Sequence, residues 1–186
     1  TLIINLYWKI DYFEKSAKQG NSYAYLNLAY LYKYVPSIKK DIKKINEMFK
    51  KSAELNNSFA YLNLAIHYHY CNIRERNYDK AKRYYIIAAK MNNLNAISNL
   101  GILFYEGKGF EKNDKIALGF LLQASKLNYS YSYFYLGLIY STSDEIPNNL
   151  EKSIKYFSKC NEIHFNEKIK TVDTIKKYSS FYMRTN

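Results

Sequence analysis

The segment AYLNLAYLY at residues 24–32 returns as AYLNLAIHY at residues 60–68, 36 positions further along the chain. The same period continues twice more with substitutions. A small residue opens each copy and a leucine follows four positions later, at Ala24 and Leu28, Ala60 and Leu64, Ala96 and Leu100, and Ser132 and Leu136. Another small residue and an aromatic residue complete each copy, at Ala29 and Tyr32, Ala65 and Tyr68, Gly101 and Phe104, and Gly137 and Tyr140. A regular period without insertions indicates a repeat protein.

A second series of residues runs at the same period between these copies. Large apolar residues recur at Phe13, Phe49, Tyr85, Leu121 and Phe157, and small residues follow three positions later at Ser16, Ser52, Ala88, Ala124 and Cys160. Spacings of three and four place such residues on one face of a helix. Each unit is therefore predicted to contain two helices, A and B, whose small residues allow close packing. One helix pair cannot bury its apolar face alone, so neighbouring units should stack.

The predicted elements follow from this register. The A helices are expected at 22–34, 58–70, 94–106 and 130–141, and the B helices at 41–55, 78–91, 114–127 and 149–162. An additional B-like helix is expected at about 4–19 and a capping helix at about 166–183. Asn56, Asn92 and Asn128 fall at the junctions from B to A, where asparagine tolerates left-handed backbone. We predict one all-α domain over 1–186, with repeats at about 24–59, 60–95, 96–131 and 132–165, an N-terminal half-repeat at 4–23 and a cap at 166–184.

Residues of the second and third units carry a resemblance to a known family. The third unit has Ala96, Leu100, Gly101, Phe104, Tyr105, Gly107, Gly109, Phe110, Asp114, Ala117 and Ala124, and the second has Asp79, Lys80, Ala81, Tyr84, Tyr85, Ala88 and Ala89. This combination resembles the Sel-1-like repeat, although the first, second and fourth units lack the paired glycines that the third has at Gly107 and Gly109. The resemblance implies a right-handed α/α superhelix (solenoid) related to tetratricopeptide arrays. It also implies a non-enzymatic scaffold or adaptor that binds another protein or an extended peptide.

If the repeats form a curved solenoid, the A helices should line its concave side. Asparagine precedes the leucine of the first three A helices and tyrosine replaces it in the fourth, at Asn27, Asn63, Asn99 and Tyr135. An amide can both donate to and accept from a peptide backbone. Aromatic residues share this face at Tyr23, Tyr30, Tyr34 and Tyr70. We predict that these residues bind the partner. The alternatives are that the asparagines only pack or solvate the helices and that some aromatics belong to the core between repeats.

The net charge of +12 leaves a second class of partner open. Helical repeats can bind RNA, and a basic surface would favour it. The lysines are scattered along the sequence, however, and an AT-rich coding sequence would also enrich lysine, asparagine, isoleucine and tyrosine. A continuous basic stripe on the concave face would favour RNA, whereas an even distribution would favour a protein scaffold. A purely structural segment of a larger scaffold is the third possibility.

Nothing in the sequence suggests catalysis, a cofactor or a metal site. His67 and Cys71 share a helix face, but no third ligand recurs nearby. No nucleophile motif or phosphate-binding glycine loop is recognisable. The apolar runs are short, so membrane insertion is not expected. The chain opens on Thr1, which we interpret as a fragment or a processed form, and the compartment is left open between cytoplasm and endoplasmic-reticulum lumen.

Overall fold

A computed structural model describes residues 2–71, 76–126 and 128–164, and its regular elements in these ranges are all helices. Their bounds are α1 Leu2–Lys18, α2 Ser22–Tyr34, α3 Ile42–Glu54, α4 Ser58–Tyr70, α5 Tyr78–Lys90, α6 Leu94–Glu106, α7 Asp114–Ser125 and α8 Ser130–Thr142, followed by α9 at 150–164. The predicted alternation of A helices (α2, α4, α6, α8) and B helices (α3, α5, α7, α9) is confirmed. The predicted capping helix at 166–183 lies outside the described residues.

The B helices begin at side-chain caps that repeat every 36 residues. Oδ1 of Asp41, Asn77, Asn113 and Asn149 accepts a hydrogen bond from the backbone N–H three residues later, over 2.8–3.1 Å. Asn21, Asn57 and Asn93 cap α2, α4 and α6 in a similar way, with Oδ1 accepting from a backbone N–H two or three residues later over 3.0–3.3 Å. Each cap satisfies one of the backbone donors that a helix leaves unpaired at its start. These polar residues therefore fix where the helices begin.

The cap of α7 gives a measurable stability difference. Asn113→Ala removes the oxygen that accepts from the backbone N–H of Ile116 at 2.8 Å, and it should lower the free energy of unfolding by about 1 kcal/mol. Asn113→Ser keeps an acceptor at the cap and should remain close to wild type. Urea unfolding followed by circular dichroism compares the three proteins. Equal losses in both variants would show that the cap bond does not stabilise α7.

The turns from B to A helices have the backbone that the sequence suggested. Gly20, Asn56, Asn92 and Asn128 are 36 residues apart and have positive φ values of 83°, 58°, 58° and 56°. Glycine adopts this left-handed region without strain and asparagine tolerates it better than most residues. The prediction for the three asparagines is confirmed.

The turns from A to B helices close through a backbone hydrogen bond in three of the four units. The N–H of the B-helix cap donates to an A-helix carbonyl from Asn77 to Tyr68, from Asn113 to Phe104 and from Asn149 to Tyr140, over 2.9–3.0 Å. In the first unit Asp41 forms no such bond within the described residues, and Ile38 N–H donates to the Val35 carbonyl instead. The first loop, which contains Pro36, therefore closes differently from the others.

The chain divides into two compact halves, residues 1–100 and 101–186. Within residues 1–100, the helices bury two clusters of apolar residues. One consists of Leu26, Ala29, Ile45, Phe49, Ala53, Ala60 and Leu64, and the other of Ala17, Ala24 and Leu28. In the second half of the chain, the buried cluster consists of Ala117, Leu121, Leu136 and Ile139. These are residues of the two repeating columns and their helical neighbours, so the 36-residue pattern specifies the core.

Candidate functional site

Most of the predicted binding residues within residues 1–100 lie on α2 and α4, and Asn99 lies on α6. We call this surface the A-helix face; it comprises Tyr23, Asn27, Tyr30 and Tyr34 of α2 and Phe59, Asn63, Ile66 and Tyr70 of α4. Four of its aromatic side chains are exposed, Tyr23 at 59%, Tyr34 at 64%, Tyr70 at 68% and Phe59 at 43%. Large aromatic groups left in solvent on one face are a common feature of protein-binding surfaces.

Asn63 connects the two helices of the A-helix face. Its side chain is only 8% exposed, and Nδ2 donates to the Tyr30 hydroxyl and to the Phe59 carbonyl, both at 2.8 Å. The Tyr30 ring in turn packs edge-on against Phe49 with its centroid 5.8 Å away. The amide hydrogens of Asn63 are therefore engaged within the protein, and Tyr30 lies partly in the core.

The other two asparagines of the predicted site have different surroundings. Asn27 and Asn99 are half-buried, and their side chains form no hydrogen bond with another described residue. The difference follows from the repeat. Asn63 bonds a residue 33 positions before it, and the equivalent partner of Asn99 is Ile66, which has no hydroxyl group. The amides of Asn27 and Asn99 thus keep their hydrogen-bonding capacity.

The half of the chain after residue 100 carries its own aromatic surface. The Tyr135 hydroxyl donates to Glu106 Oε1 at 2.8 Å, and its ring meets Tyr105 edge-on at 5.6 Å. Tyr135 also lines a cavity of about 420 Å³ together with Tyr131, Phe134, Cys160 and His164. Tyr135 is therefore half-buried and held by α6, unlike the exposed tyrosines of α2 and α4.

Tyrosine rings also cluster around Tyr84 and around Tyr156. Burial raises the pKa of Tyr84, and the neighbouring Tyr68 and Tyr61 raise it further. Burial likewise raises the pKa of Tyr156, with smaller contributions from Tyr140 and Tyr133. Because tyrosine already ionises only near pH 10, these two hydroxyls stay protonated at neutral pH.

Sequence reasoning missed a group of lysines in the first unit. Lys39, Lys40, Lys43 and Lys44 surround a cavity at the start of α3, which also contains Asn46 and His67. His67 shares a hydrogen bond with Asn46, with Nε2 and Nδ2 2.9 Å apart. The available signal was the run KKDIKK at residues 39–44, which has four lysines in six positions. Within the described ranges, no three metal-ligating side chains come together.

A family model described as Sel1 repeat matches residues 10–21, 22–57, 58–93, 94–129 and 130–159. The chain belongs to the Sel1 repeat family. Each complete match begins at the first residue of an A helix, so the family repeat coincides with one A/B helix pair. Sel1 repeat proteins are generally scaffolds for protein interactions and typically lack catalytic activity. The sequence-based recognition of the family is confirmed.

Solved structures show the same Sel1 repeat fold. A protective antigen of uropathogenic Escherichia coli matches 82% of this chain over 33% of its own length, with 22% identity and a TM-score of 0.76. A Sel1 repeat protein from Oxalobacter formigenes matches 82% over 63% of its length, with 23% identity and a TM-score of 0.73. Cysteine-rich protein B of Helicobacter pylori matches 71% over 95% of its length, with 26% identity and a TM-score of 0.55.

This Sel1 repeat chain thus spans one third and about two thirds of the length of the first two proteins. No curated protein matches it. Among the described residues, none of the helices combines the length and the apolar character that crossing a membrane requires.

Proposed function

We propose that the chain is a protein-interaction scaffold that binds an extended segment of a partner protein on the A-helix face of residues 1–100. The observation that supports this most directly is the exposure of Tyr23, Tyr34 and Tyr70 on the two helices that Asn63 joins. A tyrosine loses little conformational freedom when bound and offers a large contact area. Packing against a partner would remove these rings from water.

The asparagines have different roles in this proposal. Asn27 contacts the partner segment. It lies on the same helix face as Tyr23 and Tyr30, it is half-buried, and its amide retains its hydrogen-bonding capacity. Asn99 is equivalent in chemistry on α6. Asn63 acts through Tyr30, whose hydroxyl it holds at 2.8 Å. The A-helix face therefore combines exposed rings that supply contact area with amides that bind the backbone of the segment.

The test uses peptides selected from a random displayed library on the wild-type protein. Tyr23→Ala, Tyr34→Ala and Tyr70→Ala combined in one variant should weaken the selected peptides at least about tenfold, because truncating central aromatic residues costs the most binding energy. The measurement is fluorescence anisotropy with the labelled peptide. Circular dichroism should show an unchanged fold, since the three rings are exposed.

The chain offers a matched control. Tyr7, Trp8 and Tyr12 are also exposed, at 70%, 71% and 68%, and lie on α1. Replacing these three by alanine should change the affinity less than about threefold, the range of near-neutral contacts. Similar losses in both triple variants, or none in the first, would refute the A-helix face as the binding surface.

A further inference from the structure

The cavity at the start of α3 measures about 1000 Å³ and is lined by Tyr32, Asn46, His67, Tyr68 and all residues from Lys39 to Lys44. A smaller cavity of about 220 Å³ shares Lys40, Ile42, Asn46 and His67 with it and adds Lys33. We call the two together the lysine pocket. Five lysines therefore meet in one concave part of residues 1–100.

The positive charge of the lysine pocket is poorly compensated. Asp41 is the acid among its lining residues, and its carboxylate is used to cap α3, where Oδ1 accepts from Lys44 N–H at 3.1 Å. None of the five lysines forms an ion pair within the described part of the chain. Like charges held close together repel one another, and a concave wall concentrates their field. A bound polyanion would relieve this repulsion.

The pocket lies where the first unit departs from the other three. In those units, the backbone bond to Tyr68, Phe104 or Tyr140 closes the loop against the A helix. The equivalent bond between Asp41 and Tyr32 is not formed, and the larger cavity lies beside these two residues. The open loop and the lysines thus occur together in one unit.

We propose that the lysine pocket binds an acidic segment of a partner protein, in which aspartate or glutamate alternates with apolar residues. This goes beyond the A-helix face, because it assigns an adjoining site with its own class of ligand; the smaller cavity shares Asn63, Ile66 and Tyr70 with that face. The positive charge of the five lysines is complementary to the carboxylates of such a segment. The smaller cavity is also lined by Ile42, Ile45, Phe49 and Ile66, so an apolar side chain of the same segment can pack there.

The aromatic rings of the pocket favour a peptide over a nucleic acid. Single-stranded nucleic acids bind largely by stacking bases on open aromatic faces. Lys44 Nζ lies 4.1 Å from the Tyr32 ring centroid and donates to its hydroxyl at 2.9 Å. Tyr68 is stacked on Tyr84 at 5.8 Å and has Lys80 Nζ at 5.2 Å. The rings of Tyr32 and Tyr68 are thus in contact with other side chains, and Tyr70, the exposed ring of the smaller cavity, has one face stacked on His69 at 4.1 Å.

The probe is a fluorescein-labelled peptide of alternating glutamate and leucine, compared with a peptide in which glutamine replaces glutamate. The variant combines Lys39→Glu, Lys40→Glu and Lys43→Glu. The control combines Lys9→Glu, Lys18→Glu and Lys50→Glu, which changes the net charge equally at exposed positions outside the pocket. Anisotropy at physiological salt should show that the pocket variant binds the acidic peptide about tenfold or more weakly, while the control loses less than about threefold.

Four outcomes would overturn the proposal: no binding of the acidic peptide, equal binding of the glutamine peptide, equal losses in both triple variants, or stronger competition by a single-stranded oligonucleotide of equal charge. The last would identify a nucleic-acid site instead. Tyr23→Ala with Tyr34→Ala leaves both cavities intact and should not weaken the acidic peptide. Failure of the A-helix face and failure of the lysine pocket are thereby measured separately, and circular dichroism verifies the fold of each variant.

Discussion

Leu64→Asp is expected to unfold α2, α3 and α4, with a loss of more than about 4 kcal/mol in the free energy of unfolding. Leu64 is 1% exposed and belongs to the same buried cluster as Ile45 and Phe49. Aspartate at this position would place a carboxylate among apolar side chains without a partner. Because each repeat is stabilised by its neighbours, the damage should reach α2, α3 and α4 together.

Hydrogen exchange followed by mass spectrometry is the appropriate measurement, since it resolves the response of each helix. Leu64→Ala separates the loss of packing from the burial of a charge, because it removes the packing without adding a carboxylate. It should cost about 2–5 kcal/mol. Leu150→Asp is the control: this leucine is 68% exposed and the change should stay within about 0.5 kcal/mol. Wild-type protection of α2 to α4 in Leu64→Asp would show that the register of the repeat is wrong.

The helix boundaries could be predicted closely because the same local signals occur in every unit. The prediction of α2, α4 and α6 agrees with the structure at both ends, since small, leucine and aromatic residues recur at fixed offsets between turn residues. The prediction for α3 began one residue early, at Asp41. That residue is the cap, so its backbone is extended, with φ −119° and ψ 103°, and stands outside the helix.

The environment of each candidate side chain could not be predicted, because it depends on distant residues. Asn27, Asn63 and Asn99 occupy equivalent positions, yet only Asn63 finds a hydroxyl group, on Tyr30, among the described residues. The sequence shows equivalence but not which neighbour the side chain reaches. Whether these residues bind a partner stays a prediction.

The lysine pocket was missed for a similar reason. The run from Lys39 to Lys44 is visible in the sequence, but its significance depends on a cavity beside Tyr32. That cavity occurs where the loop lacks the backbone bond present in the other three units. Loop closure is a tertiary property, so a count of scattered lysines gave no indication of it.

Gly137→Ala, the second large prediction, should disturb the packing of α8 on α9 and lower the free energy of unfolding by about 1–3 kcal/mol, as overpacking of a core does. It tests the column of small residues in the A helices. A methyl group at Gly137 would lie 2.8–2.9 Å from three ring carbons of Phe157. The backbone is held at the same point, because the Gly137 carbonyl accepts from the buried Ser153 hydroxyl at 2.9 Å. The ring must therefore move, or α8 and α9 must separate.

Gly119→Ala should have the opposite effect on the free energy of unfolding. Gly119 lies inside α7, and a methyl group there would meet no atom within 4 Å. The substitution should stabilise the protein by about 0.5–1 kcal/mol, since alanine loses less backbone entropy than glycine in a helix. The same chemical change thus has opposite signs at two helical glycines, and urea unfolding monitored by circular dichroism measures both. Stabilisation by Gly137→Ala would mean that the A and B helices tolerate a wider separation, and close approach at the small-residue column would no longer explain why glycine or alanine recurs there.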